Sequence, residues 1–176
     1  MILKLKRTPG IYVVGFMGAG KTTIGQRLAE RIGWHFGDLD DDIVAGQGVS
    51  VAEIFDTRGE AEYRRLETDA IRARVRRIEC GQPTVLALGG GAFIDPVNHT
   101  LLKNNGVTVW LDCPLDTIER RLSNATDRPL ARDLSRFRAL YEERRGVYSG
   151  AEFRVEIGSD DPMENVERIL ELSIFK

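Results

Sequence analysis

Apolar positions along this chain follow two different periods in turn. Short apolar runs rich in β-branched residues, at 11–14, 84–88 and 107–111, have the length and composition of buried strands. A shorter run at 34–38 reads as a further strand, and Phe153, Val155 and Ile157 alternate as a last one. Between these runs the spacing becomes helical. Ile24, Leu28 and Ile32 recur every four residues within 21–32. Tyr63, Leu66, Ala70 and Ile78 share one face of a long helix over 60–79, which Ile71 and Val75 widen. Weaker helical spacing covers 96–104. A helix through Ile118 and Leu122 follows Pro114, another runs over 135–148, and an amphipathic one closes the chain over 162–174. Strands alternating with helices predict an α/β fold around a parallel sheet with right-handed crossovers.

The punctuation agrees with these periods. Gly33 suits the stop of the first helix. Gly46-Gln47-Gly48 breaks a helical stretch through Ile43 and Val44, and Ser50-Val51-Ala52-Glu53 has the form of a capping box. Gly59 interrupts the helix that this box opens, and Gly81-Gln82-Pro83 makes a turn. No repeat, low-complexity tract or long linker divides the chain, so residues 1–176 are expected to form a single domain.

Candidate chemistry begins where the first strand meets the first helix. Gly15-Phe16-Met17-Gly18-Ala19-Gly20-Lys21-Thr22-Thr23 fits the phosphate-loop spacing G-x-x-x-x-G-K-[ST]. Strand, glycine turn and helix is the context this motif requires. The glycines let the backbone turn tightly and bring its N–H groups to phosphate oxygens, and the helix start adds donors and a positive dipole end. Lys21 is expected at the β- and γ-phosphates and the Thr22 hydroxyl on Mg²⁺. The expected ligand is a nucleoside triphosphate, ATP foremost.

Phosphoryl transfer also needs an acceptor site. Asp38 and Asp40 lie two apart at a strand end, where ligands sit in open α/β sheets. Extended backbone would point both carboxylates the same way. One could then hold metal-bound water and the other an acceptor hydroxyl. The alternative is an acidic loop start with Asp41 and Asp42 capping a helix. Gly89-Gly90-Gly91 follows another strand; it either lets backbone N–H groups approach a ligand or is a plain turn. Arg64, Arg128 and Arg144 are candidate anion ligands whose convergence spacing does not reveal. Arg72, Arg74, Arg76 and Arg77 read as a solvated helix face that offsets the helix dipole.

Composition narrows the remaining classes. The hydrophobic fraction is 42%, the charged fraction 30% and the formal net charge -2, as expected for a globular protein without general affinity for nucleic acid. Cys80 and Cys113 form no CxxC pair, and His35 and His99 have no partner at metal-ligand spacing, so neither a disulfide framework nor a zinc site is expected. Lys4, Lys6 and Arg7 ahead of an apolar run imitate a signal peptide, but cleavage there would destroy the phosphate loop. No stretch reaches transmembrane length. A cytoplasmic protein without membrane partners is expected, and the sequons Asn98-His99-Thr100 and Asn124-Ala125-Thr126 are then chance matches.

Taken together, these motifs resemble the shikimate kinase family almost end to end. Gly15 to Thr23 matches its phosphate loop and Asp38-Leu39-Asp40 its Asp-x-Asp. Ile54-Phe55, Gly59-Glu60 and Tyr63-Arg64-Arg65-Leu66-Glu67 match its Ile-Phe…Gly-Glu…Phe-Arg-x-x-Glu segment. Leu88 to Gly91 matches its triple glycine, Arg128-Pro129-Leu130 its lid, and Arg144 the arginine of the following helix. The resemblance implies a P-loop NTPase-like three-layer α/β/α sandwich, akin to the nucleoside-monophosphate kinases, with a five-stranded parallel sheet of order 2-3-1-4-5. It implies an acceptor-binding segment at about 39–80 and a lid at about 123–134.

By the same resemblance, ATP and Mg²⁺ are used to phosphorylate the 3-hydroxyl of shikimate, yielding 3-phosphoshikimate and ADP. Asp40, Arg64, Gly89, Gly90, Gly91 and Arg144 would hold shikimate. Lys21, Asp40 and Arg128 would carry the chemistry. Gly18, Ala19, Gly20, Lys21, Thr22, Thr23, Arg121, Arg128 and Pro162 would bind the nucleotide, with Thr22 and, through water, Asp38 serving the metal. The chain departs from the family's Arg-x-Pro-Leu-Tyr at Arg144-Arg145-Gly146-Val147-Tyr148, which leaves both Arg144 and Arg145 as candidates for the acceptor. It also has Ala131 where the lid commonly has leucine. A kinase for another hydroxy acid, such as gluconate, and a non-catalytic ligand sensor are the competing readings. A sensor would carry a DNA-binding segment, for which the residues ahead of the first strand leave no room. Monomer is the expected state.

Overall fold

The structure, a computed structural model, describes residues 10–123 and 133–176. Five strands form one parallel sheet: β1 (Gly10–Val14), β2 (His35–Asp38), β3 (Thr84–Ala87), β4 (Val107–Asp112) and β5 (Phe153–Glu156). Their order is β2-β3-β1-β4-β5, as the resemblance implied. The three central strands are buried along their whole length, which explains why they read as continuous apolar runs.

Helices flank the sheet: α1 (Lys21–Ile32), α2 (Leu39–Gln47), α3 (Val51–Glu79), α4 (Pro96–Asn104), α5 (Leu115–Ser123), α6 (Leu134–Tyr148) and α7 (Pro162–Leu170). α1 packs on β2, β3 and α7, while α4 packs on α3 and β4. Ile11, Val13, Leu28, Val85, Leu86, Leu102, Val109 and Ile118 belong to one continuous core. No helix among the described residues is long and apolar enough to cross a membrane.

The predicted stops hold. Gly33 ends α1 in the left-handed region, with its N–H donated to the Ala29 carbonyl. The Ser50 hydroxyl accepts from the Glu53 N–H and opens α3. Gly59 sits inside that helix at φ 83° and ψ 170°, a kink only glycine adopts easily.

Three expectations are corrected. The chain does not stay extended through Asp40: α2 begins at Leu39, because the Asp38 carboxylate caps it by accepting from the Asp40 N–H. The cap is therefore Asp38, with Asp41 and Asp42 in the first turn. The last helix ends at Leu170, and a 3-10 turn, Ser173–Phe175, follows; it buries the adjacent Ile174 and Phe175 together. Arg74 does not belong to a solvated face. Its guanidinium pairs with Asp42 and lies over Gly37, tying α3 to α2 and to the end of β2.

Because the sheet is parallel, the segments after β1, β2, β3 and β4 leave from one edge. β1 lies where the connections diverge to either side, the position at which such sheets bind ligands. The pairing Val13↔Ala87 and the bond from Leu88 N–H to the Val13 carbonyl set the triple glycine beside the phosphate loop.

Candidate active site

Gly18 and Gly20 adopt φ of 78° and 94°, so the loop after β1 depends on glycine at both positions. Gly20 is the N-cap of α1 and offers no side chain to its amides. The first turn of α1 also holds no acidic residue that would neutralise them. These N–H groups and the helix dipole are left for an anion. The Lys21 ammonium reaches back over the loop and donates to the Phe16 carbonyl at 3.0 Å. The Thr22 hydroxyl donates to Asp38 Oδ2 at 2.7 Å, which leaves its oxygen lone pairs for a ligand. A hydroxyl at the phosphate loop and a carboxylate at the end of β2 fit magnesium, which keeps most of its shell as water and phosphate oxygen.

Beside the loop lies a cavity of about 360 Å³ lined by Gly18, Gly20, Thr23, Arg121, Asp160 and Pro162. Arg121 spans it from α5. Its guanidinium donates to the Gly18 carbonyl at 2.9 Å and pairs with Asp160 at 3.0 Å. Arg120 grips the other oxygen of the same carboxylate. Thus Arg121 and Pro162, predicted for the nucleotide base, meet at one wall of the loop.

On the other side of Phe16 and Met17, a larger cavity of about 620 Å³ is lined by Asp40, Phe55, Tyr63, Arg64, Glu67, Gly89, Gly90, Gly91, Leu140, Arg144 and Tyr148. Five segments distant in sequence supply it. Although Asp40 is on a helix rather than an extended strand, its carboxylate reaches this cavity. Its Oδ1 accepts from the Tyr63 hydroxyl at 2.9 Å. Arg64 donates to Glu67 Oε2 at 2.9 Å, one turn along α3. Glu67 is fully buried, and its Oε1 has no hydrogen-bond partner among the described residues. Burial pushes the Glu67 carboxyl up, against the pull of Arg64.

The triple glycine has a steric explanation. None of Gly89, Gly90 and Gly91 needs a left-handed backbone. Protein side chains crowd the space a β-carbon would take at two of them, Asp40 and Glu67 over Gly89 and the Arg64 guanidinium over Gly91, while over Gly90 the Tyr148 hydroxyl stands at ordinary contact distance. The close approach read from the sequence is first an approach by the site's own groups. The Gly90 carbonyl accepts from Tyr148 at 2.6 Å and from Arg144 at 3.2 Å.

The two adjacent arginines of α6 separate here. Arg144 lines the cavity. Arg145 turns away and pairs with Asp112 at 3.0 Å, over the rings of Trp110 and Tyr141. Gly146 in place of proline leaves α6 continuous to Tyr148. Arg128, Pro129, Leu130 and Ala131 lie outside the described residues, as does most of the predicted lid. The sequence set Tyr63 at the phenylalanine of the family's Phe-Arg-x-x-Glu, Glu67 at its glutamate and Tyr148 at the tyrosine of Arg-x-Pro-Leu-Tyr, but gave none of the three a role in the site. The i,i+3 spacing of Arg64 and Glu67 was the one available signal for an ion pair.

Comparison with known proteins bears on the same residues. Residues 17–173 match the family model of shikimate kinase. The shikimate kinase of Sulfurihydrogenibium sp. (strain YO3AOP1) is 40% identical over 161 residues, covering 91% of this chain and 95% of that protein. That of Geobacter metallireducens is 43% identical over 149 residues, covering 83% and 81%. A solved shikimate kinase from Acinetobacter baumannii in complex with shikimate superposes with a TM-score of 0.83 at 34% identity, covering 93% of this chain and 91% of that one.

Proposed function

The chain belongs to the shikimate kinase family, and on that premise we propose that it transfers the γ-phosphoryl group of ATP to the 3-hydroxyl of shikimate, giving 3-phosphoshikimate and ADP. The observation that carries this reading is the shared cavity. Asp40, Arg64, Gly90 and Arg144 line one space, and that space opens against Phe16 and Met17 of the phosphate loop.

The acceptor's carboxylate is held by Arg64 and Arg144, whose planar guanidiniums suit bidentate pairing. Asp40 accepts a hydrogen bond from the 3-hydroxyl and takes its proton as that oxygen bonds to the γ-phosphorus. The bond between that phosphorus and the β-γ bridging oxygen breaks, and ADP leaves. Lys21 and Arg128 supply positive charge to the moving phosphoryl group, the main source of catalysis in this reaction. Gly18, Ala19, Gly20 and Thr23 hold phosphates through the loop and helix start, and Arg121 and Pro162 flank the base. Thr22 and, through water, Asp38 would hold magnesium, which would supply charge neutralisation to the triphosphate.

Residues 1–176 act as one kinase domain, with the acceptor segment at 39–80 and the lid at 123–134. The protein works as a cytoplasmic monomer, without nucleic-acid or membrane partners; the net charge of -2 supports the former. The test is purified protein with ATP·Mg²⁺ and a panel of hydroxy acids that includes shikimate and gluconate, scored for ADP release. Shikimate-dependent release is expected. Release with gluconate alone, or with no acid at all, overturns the assignment.

A further inference from the structure

We propose that Tyr63 is the positioning residue for Asp40, fixing that carboxylate through Oδ1 so that Oδ2 is kept for the acceptor hydroxyl. The inference rests on the acceptor role given to Asp40 above. The two side chains come from different helices, α2 and α3, and meet at 2.9 Å. The carboxylate torsion of aspartate is broad and two-fold, so rotamer preference alone does not hold it. Among the described residues, Oδ1 carries the bond from Tyr63 and Oδ2 carries none.

The tyrosine is itself clamped. It is 4% exposed. The Phe55 ring lies 4.5 Å from its ring, and the Arg64 guanidinium sits 5.3 Å from the ring centre. Beneath the pair, a β-carbon on Gly89 would stand 3.1 Å from Asp40 Oδ1 and 3.8 Å from the Tyr63 hydroxyl, so that residue's smallness keeps the contact open. Burial first, then the charges of Asp40 and Glu67, push the Tyr63 phenol far above its ordinary value. It therefore remains a donor at any working pH. The same ring faces the cavity that holds Arg64, so one residue couples the placement of the proton acceptor to the wall of the acceptor site.

The experiment is Tyr63→Phe, which removes the hydroxyl and keeps the ring contacts. Turnover is expressed per nucleotide-binding site, so loss of folded protein does not enter it. The expected result is kcat lower by about tenfold, the scale of a misplaced catalytic group, with the shikimate KM changed less than about threefold because Arg64 and Arg144 still hold the acid. A kcat fall of less than about threefold overturns the inference. So does a shikimate KM changed by about threefold or more, which would make Tyr63 a binding contact. Wild-type protein that leaves shikimate unphosphorylated, or Asp40→Asn with wild-type turnover, removes the acceptor reading and the role of Tyr63 with it. The Tyr63→Phe result alone removes only the latter.

Discussion

Alanine at Gly91 should damage acceptor binding while sparing the fold. The Arg64 guanidinium carbon lies 2.7 Å from the point a β-carbon would occupy, and ordinary contact begins near 3.4 Å. Both terminal nitrogens stand closer still, so the head of Arg64 must withdraw by about 1 Å. It can move, being the end of a flexible stem, but its partner cannot follow. The Glu67 side chain that receives it is only 1% exposed and packed in the core. A charge-assisted hydrogen bond from Arg64, whether to Glu67 or to the carboxylate of the bound acid, is worth about 1.5–3 kcal/mol, and a displacement of this size should forfeit roughly half of it. For the acid that is about 0.75–1.5 kcal/mol, or roughly three- to tenfold in affinity. The backbone at Gly91 is outside the left-handed region, so alanine adds no strain there. Steady-state kinetics by ADP release should show the shikimate KM raised about three- to tenfold, with the KM for ATP close to the parent's and the melting temperature lowered by a few degrees as the bond to Glu67 weakens. A shikimate KM within twofold of the parent, or an equal rise in the KM for ATP, would refute this reasoning.

Lys21→Ala should lower kcat by at least about a hundredfold while the protein stays folded, since a cation aimed at developing charge acts on the transition state; near-normal turnover would count against the phosphate loop. Arg64→Ala should raise the shikimate KM by more than tenfold and lower unfolding free energy by about 1–3 kcal/mol, because Glu67 stays buried without its cation. Denaturant titration together with the KM decides both halves. Glu67 binds its proton more tightly folded than unfolded, so its ionisation costs stability as pH rises from the ordinary carboxylate range through its raised folded value. Glu67→Gln should flatten that part of the stability–pH curve, and an unaltered slope would exclude this carboxyl as its source.

What could be read in advance was whatever the chain encodes locally. The phosphate loop, the Gly33 stop, the Ser50–Glu53 cap and the Gly59 interruption each depend on neighbours a few residues away, and each is found where spacing put it. The strand order is a long-range property. It came from likeness of motifs, since alternating elements alone do not specify it. Asp38 and Asp40 illustrate the boundary. Their two-residue spacing suggested one shared face, but the Asp38 side chain itself stops the extension by capping α2, and only the α2–α3 packing then returns Asp40 to the cavity through Tyr63. Arg74 is similar: within its helix it resembles its basic neighbours, and only Asp42 and the bare backbone of Gly37 withdraw it from solvent.

The glycines after β3 bring the point to the chemistry. A run of three suggested backbone open to a ligand, yet Gly89 and Gly91 are small because side chains from elsewhere pass close over them, and Gly90 has the Tyr148 hydroxyl at ordinary contact. Asp40 and Glu67 cross Gly89, Tyr148 crosses Gly90 and Arg64 crosses Gly91, and those side chains come from α2, α3 and α6. The run acts as a floor on which the acid-binding arginine and the carboxylate are set at fixed heights, beside a loop held in register by the β1–β3 pairing. Transfer between two bound substrates demands this rigidity, because a group misplaced by an ångström forfeits about a hundredfold in rate. Cooperation between the glycine floor and its side chains predicts that enlarging one glycine disturbs the residue above it selectively: Gly91 should act through Arg64 on binding, and Gly89 through Asp40 on turnover.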